Sequence, residues 1–199
     1  MSNKRNSFRA GEFKTRAAED GGKYIEGYFA VFNQRTELWA GTFEEIDPAA
    51  FDNSLKNNDI RCLYNHDTNI VLGRTGNKTL TLHTDAHGLF GSVRINENDK
   101  QALDIYSRVE RGDVDGCSFG FFPVSEEWNE LPDGSTLWRV LDTDTGEVSI
   151  CPFPAYPQTE IQARKKDFEK HQTRRDCPTD NSREATAKNI KERLEKLKC

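Results

Sequence analysis

No run of apolar residues in the 199-residue chain approaches the roughly 20 that cross a bilayer as a helix. The opening MSNKRNSFRAGEFKTRAAED is basic, but no apolar stretch follows it, so no secretory signal is expected. The two absences together predict a soluble protein that stays in the compartment where it is made. Cysteine is sparse and its spacing is unpaired: Cys62, Cys117, Cys151, Cys177 and Cys199 form an odd set with no Cys-x-x-Cys. Free thiols in a reducing cytosol fit this better than a disulfide framework. The four histidines complete no zinc pattern. His83 and His87, with Asp85 between them, would share one face of a helix and suit a metal-dependent hydrolase. Their setting, LTLHTDAHGLFGSV, reads instead as a hairpin, which removes that geometry. No metal and no organic cofactor is expected.

Charge is plentiful, at 31% of residues against 35% hydrophobic, and it is unevenly distributed. Residues 164–199 carry 12 Lys and Arg against 7 Asp and Glu, a net of +5, which leaves −10 for residues 1–163. An acidic body and a basic tail imply two functional parts. The acids interspersed in the tail argue for a solvated helical face rather than a nucleic-acid surface. Within the tail, Asn181 and Glu184 resemble a capping box, followed by Ile190, Leu194 and Leu197 in a narrow stripe. Such a stripe suits a partner helix or a homo-oligomer seam.

Turn residues and periodicity divide the body into short elements. FKTRAAED and KYIEGYFAVFN read as two strands joined at Gly21-Gly22. In IDPAAFDNSLKN, Asp47 is placed to cap a short helix with Pro48 at its first position. DIRCLYNHDTNIVLGRT reads as strand, irregular turn around Asn65-His66-Asp67, and strand; KTLTLHTDAHGLFGSVRI reads as a hairpin. NDKQALDIYSRVERGDV is the clearest helix, with Ala102, Ile105, Tyr106 and Val109 on one face and Gly112 at its end. Pro132-Asp133-Gly134 marks a turn between two further strands, and a proline-rich exit follows GEVSIC. The fold class expected is α+β and mainly β: a β-barrel-like body over residues 1–163 with helices packed outside, then a charged, partly helical tail over 164–199.

GDVDGCSFGFFPVSEEW, Gly112 to Trp128, carries the sharpest chemical suggestion. Strand alternation sends Cys117, Phe119 and Phe121 to one face and Ser118, Gly120 and Phe122 to the other. A hydroxyl between bare glycines is accessible to a substrate backbone, as a serine nucleophile requires, although a polar residue on a strand surface has the same pattern. His66, at a turn leaving a strand, suits general-base work, and a surface histidine in a polar turn looks no different. Glu147 shares a strand face with Ser149, where it is either a rim charge or the acid that orients a base. Cys117 is a rival nucleophile, but its parity places it in the core.

Three ordered segments are similar to the prohead serine proteases of tailed bacteriophages, themselves distantly similar to herpesvirus assemblins. LYNHD (63–67), GCSFGF (116–121) and GEVSICPFPAYPQT (146–159) resemble that family's histidine, serine and Glu-Val-Ser blocks. YIEGYFAVFN and EEIDPAAF resemble its N-terminal strands, so the likeness covers about residues 10–163. The resemblance implies Ser118 as nucleophile, His66 as general base and Glu147 as third member, with Asp67 or His87 next in line for that role. Oxyanion donors are expected among the backbone N–H groups from Ser118 to Gly120. It implies a herpesvirus-protease-like fold and peptide hydrolysis through an acyl-enzyme. The implied substrates are the scaffolding protein or the scaffolding segment of the major capsid protein, and the protease itself by autocleavage. It implies action inside the assembling prohead in the host cytoplasm, with the tail docking scaffold and then trimmed away. The alternative is a non-catalytic capsid-assembly module that keeps the fold and docks capsid protein through its tail.

Overall fold

A computed structural model describes residues 5–10, 13–18 and 21–152. The proline-rich exit and the tail over 164–199 lie outside the described residues. In chain order the elements are β1 (Arg5–Ala10), β2 (Lys14–Ala17), β3 (Lys23–Val31), β4 (Thr36–Trp39), β5 (Thr42–Ile46) and α1 (Asp52–Asn57). Then come β6 (Arg61–Tyr64), β7 (Asp67–Arg74), β8 (Leu80–Thr84), β9 (Gly88–Arg94), α2 (Lys100–Arg111), β10 (Gly116–Glu130) and β11 (Thr136–Cys151). The class is mainly β, as the turn signals predicted. Among the described residues, however, the strands do not close into a barrel. They form a seven-stranded sheet built on β10 and β11 and a separate four-stranded sheet in the order β2-β3-β9-β8.

Burial follows the alternation read from the sequence. Cys117, Phe119 and Phe121 of β10 join Val148 and Ile150 of β11 in one apolar core with Ile25 and Phe29 of β3 and Leu89 and Val93 of β9. Cys117 donates its S–H to the Phe29 carbonyl at 3.5 Å, so the two sheets meet through this layer. The Phe51 and Phe119 rings meet edge-on at 5.1 Å, and Phe119 stacks on Phe121 at 5.1 Å. Helix α2 buries the four residues its period singled out. Asp99 caps it by accepting from the Gln101 and Ala102 amides, and Gly112 ends it at φ 82°, a left-handed position that glycine adopts freely.

Strand β11 is the spine of the larger sheet. One side pairs antiparallel with β10 along nearly its whole length. The other side pairs parallel with β5 over Thr136–Val140 and with β6 over Glu147–Ile150. Between those two partners the segment containing α1 supplies the missing hydrogen bonds. The Thr143 amide donates to the Ala50 carbonyl, Ser54 Oγ donates to the Thr143 carbonyl, and the Thr145 amide donates to Ser54 Oγ. Asn58 Nδ2 donates to the Thr145 carbonyl and to Asp144. Asp47, expected to cap this helix, accepts instead from the Ala49 amide in a tight turn, and the helix begins five residues later. Pro48 cannot donate, and the chain needs that turn to leave β5 before it can cross β11.

Ser54 is 2% exposed and satisfies both a buried carbonyl and a buried amide. Ser54→Ala removes both partners at once and should lower stability by about 1–3 kcal/mol, read from the shift of a urea unfolding midpoint.

Candidate active site

Strand β6 turns back into β7 through two residues only, since Tyr64 pairs with Asp67. Asn65 and His66 therefore hold the turn, at φ 52° and 60°. Two consecutive positive φ values are what a type I′ hairpin loop requires, and its second position normally takes glycine. A histidine there carries backbone strain of about 1–2 kcal/mol. The turn that looked irregular from sequence is thus tight, with Asp67 as the first residue of the next strand. Two bonds fasten it to β11: the Asn65 amide donates to the Ile150 carbonyl at 2.9 Å, and the His66 amide donates to Ser149 Oγ at 3.3 Å.

From this turn the His66 ring reaches over β11, and Nδ1 lies 2.7 Å from Glu147 Oε1. With the carboxylate ionised and the imidazole neutral, this contact puts the proton on Nδ1 and leaves the Nε2 lone pair, the tautomer a general base needs. The other carboxylate oxygen, Glu147 Oε2, accepts from Ser149 Oγ at 2.8 Å. Ser149 thereby clamps the carboxylate and the histidine turn together. Glu147 is 5% exposed along its side chain and His66 18%, so little water competes for the pair.

A bulge brings Glu147 to this face. Phe121 pairs with Thr145 and Gly120 with Glu147, which leaves Gly146 as an extra residue on β11. Before the bulge, Thr143 and Thr145 lie on the same side as Phe121. After it, Glu147 and Ser149 lie on the side of Gly120 and Ser118, because directly opposed residues share a face. Ser118 pairs with Ser149 and so stands one strand away from the His66–Glu147 pair.

The structure thus brings His66 and Glu147 into contact and places Ser118 on the same face, flanking them. It does not place Ser118 in a hydrogen bond with either. Ser118 is 0% exposed, and its Oγ has no hydrogen-bond partner among the described residues. The accessible hydroxyl expected from the glycine-flanked sequence is a buried one here. Asp67 accepts from Asn69 within its own turn. His83 and His87 sit far along the other sheet, packed on the rings of Phe90 and Tyr28. Among the described residues no group of His, Cys, Asp and Glu could hold a metal ion. A cavity of about 490 Å³, lined by Arg74, Asn77, Thr79, Arg94 and Asn96 among others, is bordered by none of Ser118, His66 and Glu147. Ser149, treated in the sequence only as a neighbour of Glu147 in strand parity, is the group that period-2 reasoning could have promoted.

Residues 11–174 match the sequence profile of the caudovirus prohead serine proteases. The chain belongs to that family. Among prohead proteases, that of Enterobacteria phage HK97 is 28% identical over 144 residues, covering 71% of this chain and 60% of that protein. The chain therefore spans about 60% of the length of this relative. The solved structure of the bacteriophage T4 capsid assembly protease superposes with a TM-score of 0.45 at 11% identity, over 74% of this chain and 98% of that one. No helix among the described residues is long and apolar enough to cross a membrane.

In this family member the cysteine rival fails on environment. Cys62, Cys117 and Cys151 are buried thiols that form no disulfide. Burial pushes the Cys62 thiol far up and the Cys151 thiol up to about 12, so neither supplies thiolate near neutral pH. Alkylation of the folded chain with N-ethylmaleimide should leave all three unmodified by peptide mass mapping, and all three should react in denaturant. Ser149→Ala takes one hydrogen bond from the Glu147 carboxylate and one from the His66 turn. It should cost about 1.5–3 kcal/mol in urea unfolding, whereas Ser149→Thr, which keeps the hydroxyl, should cost less.

Proposed function

We propose that this protein is a serine endopeptidase in which Ser118 is the nucleophile, His66 the general base and Glu147 the acid that orients it. The observation that carries the reading is the 2.7 Å contact between His66 Nδ1 and Glu147 Oε1 on the sheet face that Ser118 shares. Ser118 Oγ attacks a peptide carbonyl as its proton passes to His66 Nε2. Glu147 stabilises the resulting imidazolium, which then protonates the leaving amine. Water, activated by the same imidazole, releases the acyl group from Ser118. The chemistry uses side chains and backbone alone. Family membership supports the scaffolding protein, or the scaffolding segment of the major capsid protein, as substrate inside the assembling prohead in the host cytoplasm. It also supports autocleavage as a second activity.

The burial of Ser118 favours one rival, a non-catalytic assembly module that docks capsid protein. Intact-mass spectrometry separates the two. The parent chain, Ser118→Ala and Glu147→Gln are each incubated during co-assembly with the cognate capsid protein. Fragments from the parent and none from Ser118→Ala are expected, with Glu147→Gln slower by about 10⁴-fold because the imidazole loses its orienting charge. Intact capsid protein in all three would sink the protease reading in favour of the docking module. Near-parental cleavage by Glu147→Gln would remove Glu147 from the third role.

A further inference from the structure

Ser149 lies on β11 among the three groups of the proposed chemistry. Its hydroxyl donates to Glu147 Oε2 at 2.8 Å and accepts from the His66 amide at 3.3 Å. The ladder sets the same residue directly opposite Ser118. The parallel pairing of β6 with β11 ends at Tyr64 and Ile150. The Asn65 amide extends it by one backbone bond, to the Ile150 carbonyl. At His66 the chain turns back, and the amide there bonds to a side chain instead. The base is thus fastened to β11 through the hydroxyl that holds the acid.

We infer that Ser149 is a positioning residue for catalysis: one hydroxyl fixes which oxygen of Glu147 meets His66 and where the His66 ring stands. The inference rests on the proposed roles of Ser118, His66 and Glu147. A glutamate carboxylate turns easily about its last torsion, whose profile is broad and roughly two-fold. With Oε2 held by Ser149, Oε1 is the atom presented to Nδ1, at 2.7 Å. That contact assigns the proton-accepting task to Nε2. A serine hydroxyl has one proton to donate and lone pairs with which to accept, so it makes both bonds at once. His66 depends on the second of them. Its backbone sits at φ 60°, a left-handed value from which a residue with a β-carbon relaxes when released. Alanine at position 149 therefore loosens both partners: the carboxylate regains its torsion and the turn loses a tether. Little water reaches the spot, since Ser149 is 0% exposed and the Glu147 side chain 5%. Val148 and Ile150 are core residues, so neither flanking position can replace the lost donor. Opposed side chains on antiparallel strands stand about 4.5–5.5 Å apart at Cβ, so the same hydroxyl also borders the nucleophile.

The test compares the full chain with Ser149→Ala, Ser149→Thr and Ser149→Cys, each under conditions where circular dichroism shows it folded. The rate at which a fluorophosphonate probe labels Ser118 reports the reactivity of the nucleophile, and peptide mass mapping identifies the labelled residue. The proton NMR signal of His66 Nδ1–H, at low field because the nitrogen donates to a carboxylate, reports the geometry of the pair. Ser149→Ala should label about tenfold to a hundredfold more slowly, the range of a lost hydrogen bond to a charged group. Its Nδ1 proton signal should move to higher field or vanish. Ser149→Thr keeps the hydroxyl and should recover most of the rate, while Ser149→Cys, with a weak donor, should fall between Ser149→Ala and the parent. A parental rate in Ser149→Ala would overturn the inference and leave the nucleophile reading standing. So would slower labelling with an unmoved Nδ1 signal, because a loss of packing alone does that. Absence of Ser118 labelling in the parent would overturn the nucleophile reading and the inference with it. Should Ser149→Ala fail to fold, Ser149→Cys decides, and a parental rate and signal there would overturn the inference.

Discussion

The larger sheet depends on satisfying the backbone of β11 on both of its sides. A strand with so many buried residues cannot leave their amides or carbonyls unpaired. Here one long partner serves one side, while two short parallel strands and the α1 segment share the other. The order β5, α1, β6 is the chain following β11 from one end to the other. That path delivers the histidine turn to the carboxylate. Because β6 pairs with Glu147–Ile150, its end falls at Ile150, and the turn that follows hooks onto Ile150 and Ser149.

Two local irregularities flank the His66–Glu147 pair, and each has a cost that the surroundings offset. His66 occupies a left-handed position that a β-carbon disfavours, held there by two bonds to β11. Gly146 interrupts the ladder one residue before Glu147. Strain and bulges collect where a side chain must point somewhere regular geometry would not send it, and both meet at one hydrogen bond. The aromatic layer beneath, from Phe51 through Phe119 to Phe121, keeps β10 and β11 rigid under that load.

The sequence was most legible where one signal sufficed. The face of α2, its stop at Gly112 and the alternation from Cys117 to Phe122 all follow from period and burial, and the structure agrees with each. His66 and Glu147 were singled out before any geometry placed them in contact. What escaped depends on long-range pairing. TELWAGTFEEI forms the β4–β5 hairpin without a strong alternating pattern, because β5 is sandwiched between β4 and β11 and Glu44 is buried. Strand β1 has the composition of a polar leader and becomes a strand only by borrowing the edge of β10. The barrel expected from many short strands gives way to two sheets, since the longest strands pair with each other rather than around a circle. The burial of Ser118 was equally hidden, because strand alternation sets the face a side chain takes and not what packs over that face.

The bulge at Gly146 also decides which side of the sheet carries the carboxylate. The face a strand residue occupies is a matter of counting, and Gly146 resets the count between Thr145 and Glu147. Paired regularly at its present length, without the bulge, the strand would set Glu147 opposite Phe119 and turn the carboxylate into the phenylalanine layer, where a charge is not tolerated. Deleting Gly146 would instead leave Glu147 opposite Gly120. The skipped position itself asks for no particular side chain, since a β-carbon at Gly146 meets nothing within 4 Å.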